Sequence, residues 1–168
     1  MAASDKARVY AAGTAVYGCA LSARRPLHLG DSRSCLRADR VTVVAVAGAL
    51  AAYGTQRCGV DTGLASLVVR RLTDGARLRQ AQAISAPVGP ESYTTVTSVV
   101  VKADTSVAWV GVGSSIVSHR RVIEVRAEDS HGSHVLDQST LIDPSSLRLN
   151  GSRLSWRDRG VARSATLR

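Results

Sequence analysis

The chain has 168 residues, which fits a single domain spanning 1–168 around one hydrophobic core. A hydrophobic fraction of 45% excludes an intrinsically disordered chain, and the longest uncharged apolar run, 41–54, is shorter than the ~20 residues of a membrane-spanning helix. The formal charge of +9 is almost entirely arginine, scattered from Arg8 to Arg168. This scatter is typical of an ordinary arginine-rich surface, and attraction to an anionic partner is the alternative interpretation.

Hydrophobicity alternates with a period of about two along most of the chain, which predicts β-strands rather than helices. Four stretches share one layout. Each begins with an apolar strand, continues through a tight turn at Gly or Asp, and ends with a second strand whose last residue is Tyr or Trp. These stretches are 7–19, 43–54, 98–111 and 146–158. We expect the aromatic residues of the last three in the core, namely Tyr53, Trp109 and Trp156.

Further strands follow each hairpin. After 43–54 comes SLVVRRLTDGARLRQ (66–80), in which Asp74-Gly75 predicts a hairpin turn. After 98–111 comes 121–138, with Gly132 at its turn, and the segment 83–95 between the two is expected to be a loop. Only RPLHLGDS and VARSATLR follow the first and last hairpins. The sequence therefore predicts two complete four-stranded units between two partial ones.

Repeated antiparallel units of this size resemble the blades of β-propeller repeat proteins. The resemblance lies in the layout, since the chain has no Trp-Asp or kelch signature. It implies an all-β, propeller-like fold in which the two partial units complete one blade together and close the ring. A β-sandwich or an open β-meander of the same hairpins is the alternative. The chain also resembles short exported actinobacterial proteins of unknown function, and that resemblance implies no activity.

The three cysteines, Cys19, Cys35 and Cys58, lie beside Gly, Ser or Arg in expected turns, which indicates a disulfide. We predict the pair Cys35–Cys58 because both residues fall outside the strand-like runs. Cys19 is then expected to be unpaired. None of the spacings matches a C-x2–4-C zinc site. A disulfide predicts a secreted or cell-envelope protein whose leader precedes this sequence, and a cytoplasmic protein is the alternative.

The triplet Asp61-Thr62-Gly63 matches the active-site triplet of aspartic peptidases, and that resemblance implies a hydrolase with Asp61 as a catalytic residue. In those enzymes an apolar strand precedes the triplet, whereas residues 56–59 here are polar and flexible. We therefore interpret 58–63 as the loop between the second and third strands of a unit, with Asp61 binding backbone N–H groups. The hydrolase remains the alternative.

Other motifs have simpler interpretations. His131 and His134 stand beside two carboxylates, a set that can bind a metal, but they occupy a predicted hairpin tip. VGVGSS (110–115) fits neither a phosphate loop nor a nucleophile elbow, and no carboxylate is placed to orient His119 toward Ser114. Asn150-Gly151-Ser152 matches a glycosylation sequon but also a hairpin turn. The sequence predicts no catalytic site, metal or cofactor.

Arginine pairs occur once in each of three units, and in a strand one residue of such a pair faces solvent. We predict that they form a ring of positive charge that binds anions. The pairs are Arg24-Arg25, Arg70-Arg71 and Arg120-Arg121. The scarcity of aromatics for base stacking argues against nucleic acid. Together these features predict a non-enzymatic, exported binding or interaction module, whose partner is a protein or, alternatively, an anionic polymer bound through arginine.

Overall fold

The computed structural model describes residues 2–36 and 38–168. Every regular element in these residues is a β-strand. The described part of the chain has no helix of the length and apolar character that crossing a bilayer requires. The all-β class predicted from the sequence is confirmed.

The strands fall into four consecutive groups, named units 1 to 4. Unit 1 contains β1 (Ala2–Ala3), β2 (Ala7–Ala12), β3 (Ala15–Ala20) and β4 (Leu27–Asp31). Unit 2 contains β5 (Arg40–Ala47), β6 (Leu50–Cys58), β7 (Gly63–Arg71) and β8 (Arg77–Gln82). Unit 3 contains β9 (Ser92–Val101), β10 (Val107–Ser115), β11 (Arg121–Asp129) and β12 (Gly132–Gln138). Unit 4 contains β13 (Arg148–Asn150), β14 (Arg153–Asp158) and β15 (Val161–Thr166).

Each strand pairs antiparallel with its sequence neighbour inside a unit. Units 1 and 2 are joined by one parallel pair, Asp31 with Arg40, and units 2 and 3 by another, Gly63 with Tyr93. These two links make a twelve-stranded sheet of the described strands of units 1 to 3, while β13–β15 form a separate three-stranded sheet. The architecture is thus a series of local meanders with minimal pairing between them.

The hairpins predicted from the sequence are confirmed, but each second strand continues past the Tyr or Trp that was predicted to end it. The four strand-turn-strand stretches form β2–β3, β5–β6, β9–β10 and β13–β14, and the segments after them supply β4, β7–β8, β11–β12 and β15. Glycine makes the tight turns possible because it tolerates positive φ. Gly75 of the Asp74-Gly75 turn has a φ of 77°, and Gly151 has a φ of 59° in the two-residue turn between β13 and β14.

Neighbouring units pack face to face, with an apolar cluster between each pair. Tyr53 lies between units 1 and 2, Trp109 between units 2 and 3, and Trp156 between units 3 and 4. All three are buried, as predicted. On β10, Trp109 points toward unit 2 while Ala108 and Val110 point toward unit 4. Because β10 is buried on both faces, its sequence is a continuous apolar run rather than an alternating one.

The ring closure expected of a propeller is not formed. Units 1 and 4 share no sheet among the described residues, so the structure is open between them and a propeller is not shown. The reason lies in the apolar face of unit 4. Leu154, Trp156 and Leu167 bury themselves against β10 and β11 of unit 3, so the last strands stack on the preceding unit instead of pairing with the first.

The predicted loop 83–95 is shorter than expected, because β9 begins at Ser92, and its first residues cross directly over β10. The Trp109 indole donates a hydrogen bond to the Ala83 carbonyl at 2.9 Å. A Cβ atom on Gly111 would overlap that same carbonyl, and one on Gly113 would overlap Ile84. The glycines of VGVGSS therefore clear space for a crossing segment, which explains the motif structurally.

A buried carboxylate fixes the crossing segment in place. Glu124, opposite Gly111 on β11, is 0% exposed and accepts hydrogen bonds from the backbone N–H groups of Ser85 and Ala86, both at 2.8 Å. Arg126 lies 3.4 Å from the same carboxylate and stacks over the Trp109 ring. This network is the polar joint between units 2 and 3.

A second buried carboxylate holds the chain end of unit 4 against unit 3. The Asp129 carboxylate accepts the N–H of Arg168 at 2.9 Å and that of His131 at 2.8 Å, and it lies 3.2 Å from His134 Nε2. Burial by itself raises the pKa of Asp129, but these donors outweigh it and hold the pKa at about 2. The ionised form therefore stabilises the fold.

The predicted disulfide joins Cys35 to Cys58, whose Cα atoms are 5.1 Å apart. The Cys58 N–H also donates to the Cys35 carbonyl at 2.8 Å. Together they fasten the connection between units 1 and 2 to the end of β6. Cys19, on β3, is a free and partly buried thiol.

Replacing both bridged cysteines by serine is expected to lower the free energy of unfolding by about 3 kcal/mol, because the bridge closes a loop with a sequence separation of 23 residues. Urea unfolding measures the change. Cys19→Ser is the control and should shift stability by less than about 1 kcal/mol. Mass spectrometry of alkylated native protein that finds three free thiols would contradict the bridge.

Glu124→Gln is expected to lower the free energy of unfolding by about 2–4 kcal/mol, because an amide replaces one of two acceptor oxygens with a donor facing backbone N–H groups. Glu128→Gln is the matched control. Its salt bridge to Arg79, 2.8 Å long with both side chains partly exposed, should contribute about 1 kcal/mol or less. Equal losses in the two variants, measured by urea unfolding, would show that Glu124 has no special role.

The contribution of Asp129 to the free energy of unfolding should decrease as pH falls. Because its pKa is lowered to about 2 on folding, its contribution is complete above the unfolded value of about 3.9 and disappears as pH falls toward 2. Asp129→Asn should destabilise the protein by about 1–3 kcal/mol at pH 6, and the gap to wild type should close between about pH 4 and 2. Asp61→Asn, in an exposed turn, is the control. A gap that stays constant down to pH 2 would contradict this assignment.

Candidate functional site

A polar cleft of about 440 Å³ lies where units 1 and 2 meet. Its floor consists of alternate residues on β6 and β7, because side chains at positions i and i+2 share one face of a sheet. Leu29 and Asp39 form the side next to unit 1. The remaining lining residues are Tyr53, Thr55, Arg57, Leu64, Ser66, Val68, Arg70, Arg77 and Gln80.

Two arginines dominate one end of the cleft. Arg70 on β7 and Arg77 on β8 are direct cross-strand partners, a placement in which like charges repel. The Arg70 Nε is buried and has no hydrogen-bond partner among the described residues. Arg77 donates to Gln80 Oε1. The pair therefore concentrates positive charge at the cleft, next to a buried donor that has no partner among the described residues.

Other buried guanidinium nitrogens are in a different situation. The Nε atoms of Arg40 and Arg126 also lack a partner among the described residues, but each guanidinium already binds a side chain. Arg40 donates to Gln56 at 2.5 Å, and Arg126 lies 3.4 Å from Glu124. Arg70 is distinct because its unpaired donor lines a cleft beside a second cation.

The other walls are polar and mostly neutral. Arg57 forms an ion pair with Asp39 at 2.8 Å, so the two charges largely cancel at the mouth. Tyr53 forms part of the floor. Burial raises the pKa of Tyr53, although the nearby charges of Arg70 and Arg77 reduce that rise. Its hydroxyl therefore stays protonated at neutral pH, and Thr55 and Ser66 add further hydroxyl groups.

Of the three predicted arginine pairs, one contributes to this cleft, and it does so through Arg70 alone. Arg71 points away and forms an ion pair with Asp74 at 2.9 Å. Arg24 and Arg25 are exposed and line a shallow depression beside the β7–β8 turn. These two pairs thus lie along one edge of the structure.

The third pair, Arg120-Arg121, lies toward the opposite edge. Arg121 and Tyr93 are the cross-strand partners of Ser114 on either side of β10. Tyr93 in turn pairs with Gly63 at the start of β7. Arg70 lies near the far end of β7, roughly 20 Å from Gly63 at about 3.3 Å per residue. The structure therefore does not bring the three pairs into one cluster.

Arg57 and Arg77 line the cleft but were not predicted from the sequence, because neither has an arginine next to it. The signal for Arg77 was present, because the predicted Asp74-Gly75 turn makes the strands on either side antiparallel and sets Arg77 close to Arg70. Arg57 could also be placed from the sequence, because it directly precedes Cys58, the first residue of the predicted loop 58–63.

Asp61 lies exposed in the turn between β6 and β7, where the sequence placed the Asp-Thr-Gly triplet. The turn is closed by the Gly59 N–H donating to the Thr62 carbonyl at 2.7 Å. A hydrolytic role for Asp61 stays a prediction.

The residues around His131 are used in other contacts. Glu128 pairs with Arg79, and Asp129 binds Arg168 and His134. Within 2–36 and 38–168, the structure has no group of three or more His, Cys, Asp or Glu side chains placed to hold a metal ion. Ser114 is exposed at the end of β10, and His119 lies in the following loop with a positive φ of 52°.

The cleft can hold an anionic group at Arg70 and Arg77 while hydroxyl and amide groups bind the rest of a polar ligand. Its geometry has to be interpreted from the chain itself. No known protein family, curated protein or solved structure matches this sequence.

Proposed function

We propose that this chain is a non-enzymatic binding module whose cleft between units 1 and 2 binds an anionic group of a polar ligand. The observation that carries this proposal is the buried Arg70 Nε, which has no partner among the described residues and lies opposite a second arginine. A buried unpaired donor is unfavourable, and a carboxylate or phosphate bound at the Arg70 guanidinium can pair with it when the side chain reorients toward the ligand. An anion also relieves the repulsion between Arg70 and Arg77.

The surroundings support a ligand with hydroxyl groups rather than an apolar one. Thr55, Ser66 and Gln80 offer donors and acceptors beside the two arginines, and the Tyr53 hydroxyl is protonated. Acidic sugars and hydroxy acids combine these chemical features. The site contains paired guanidinium groups but no assembled nucleophile and base, which favours binding over catalysis.

The fold supports a scaffold role. We propose that units 1 to 4 act as successive blade-like sheets in an open, propeller-like series, because each packs face to face on the next. In this arrangement the cleft is a groove between two adjacent units. Binding sites often lie at such junctions, where two elements contribute side chains.

We propose that the protein is exported. The Cys35–Cys58 bridge supports this because disulfides persist in oxidising compartments and are rare in the cytoplasm. The bridge lies beside the cleft, since Cys58 follows Arg57 and the loop that starts at Cys35 carries Asp39.

Arg70→Gln tests the cleft, with Arg71→Gln as the matched control because the neighbouring side chain pairs with Asp74 outside it. Isothermal titration with glucuronate, citrate and inorganic phosphate measures the affinity. We expect Arg70→Gln to weaken binding by about tenfold or more, equivalent to roughly 1.4 kcal/mol, and Arg71→Gln to leave it within about twofold.

Two outcomes would contradict the cleft proposal. One is equal affinity of the two variants for every anion in the panel. The other is that the wild-type protein binds none of the three anions. Thermal unfolding of both variants checks that each remains folded, and Arg70→Lys restores charge without the Nε donor.

A further inference from the structure

Unit 4 has a second basic surface, on the side of its sheet that faces away from unit 3. Cross-strand partners share a face, so the registers of β13, β14 and β15 define its members. We name this surface the unit 4 outer face. Its residues are Arg148, Asn150, Arg153, Ser155, Arg157, Ala162, Ser164 and Thr166.

The unit 4 outer face is exposed throughout, with Ser155 alone partly buried. The opposite side of the same sheet carries Leu154 and Trp156, which are buried against unit 3. The packed faces of the units are apolar, whereas this exposed face is polar. Its composition is therefore that of a surface that meets solvent or a polar partner.

Charge on the unit 4 outer face has one sign. It carries three guanidinium groups and no carboxylate among its eight residues. Arg153 and Arg157 are separated by about 13 Å along β14, and Arg148 lies on the adjacent strand about 5 Å away from β14. The spacing suits successive anionic groups on an extended chain rather than a single small anion.

One carboxylate lies at the margin of the face. Asp143 shares a shallow depression with Arg148 and Arg157. Its Oδ1 accepts hydrogen bonds from the Ser145 N–H at 2.9 Å and the Ser145 hydroxyl at 2.7 Å. Asp143 therefore reduces the positive potential of the face while being fixed by its own loop.

The side chains on the face select among anionic partners. It has no aromatic residue for stacking on nucleic-acid bases and no aliphatic residue larger than Ala162 for insertion into a bilayer. It does have Ser, Thr and Asn side chains between the arginines, which bind hydroxyl groups. Hydroxyl groups alternating with sulfate or carboxylate groups are the chemistry of an acidic polysaccharide.

We propose that the unit 4 outer face binds an acidic polysaccharide, with Arg148, Arg153 and Arg157 pairing to its sulfate or carboxylate groups. Guanidinium groups form bidentate, charge-assisted hydrogen bonds with such groups. Ser155, Ser164 and Thr166 bind sugar hydroxyls between them. This surface is separate from the cleft at Arg70 and does not depend on it.

The test uses heparin as the probe, with the full chain and biolayer interferometry at several salt concentrations. The triple variant Arg148→Gln, Arg153→Gln, Arg157→Gln is expected to bind about tenfold more weakly or worse, with a shallower salt dependence. The matched control removes the same charge elsewhere, at Arg24, Arg25 and Arg120, and should stay within about twofold of wild type.

A second variant keeps the proposal testable if the triple variant unfolds. Asp143→Asn removes the one opposing charge at the margin and should strengthen heparin binding by about twofold or more. Arg70→Gln, which removes one charge at the cleft, should weaken heparin binding far less than the outer-face triple variant does, and this difference separates the surface from the cleft.

Several results would overturn the polysaccharide proposal. These are the same loss in both triple variants, a loss in Arg70→Gln with the outer-face triple unaffected, and no heparin binding by the wild-type protein. Tighter binding to double-stranded DNA or to anionic phosphatidylglycerol vesicles than to heparin at equal salt would assign the face to a different partner. The face assignment requires heparin to be preferred and the outer-face triple to be selectively impaired.

Discussion

The joint at Glu124 is the interaction on which the rest of the structure depends. A carboxylate buried between two sheets accepts backbone N–H groups from the segment that crosses β10, and Gly111 removes the side chain that would block the crossing. This arrangement sets the position of unit 3 against unit 2. Unit 3 in turn provides the apolar face on which unit 4 stacks. One buried side chain therefore links unit 2 to unit 3, on which unit 4 packs.

Face-to-face stacking explains where polar surface remains available. Interior units are covered on both faces by apolar clusters, so polar side chains remain at the margins of the junctions and on the outer faces at the two ends of the series. The cleft at Arg70 lies at the margin of one junction, and the unit 4 outer face lies at one end. Both proposed sites place arginine beside hydroxyl groups, although they differ in shape: the groove is proposed for a compact anion and the outer face for an extended one.

The sequence predicted the hairpins, the core aromatics and the disulfide because each leaves a local signal. Gly75 and Gly151 mark turns, Tyr53 and Trp109 lie at the same offset from the preceding turn, and a cysteine pair outside the apolar runs of the sequence has few structural roles. The open end of the series was not predictable in this way. Whether Trp156 stacks on unit 3 or its strand pairs with unit 1 depends on long-range packing. The sequence predicted Arg70 of the cleft but not Arg77, because the pattern of adjacent arginines does not include a pair formed across a turn.

Sequential pairing of the strands has a consequence for how the protein reaches its native state. All-β proteins usually fold slowly because distant segments must meet, and the closure of long loops opposes folding. Here almost every ladder joins neighbouring strands, and contacts such as Ser85 with Glu124 span a sequence separation of only 39 residues. Each unit can therefore form soon after its last strand becomes accessible, in order from the amino terminus, and offer a finished face to the next unit. Such directional assembly agrees with the proposed export, in which a chain is delivered unfolded and end first.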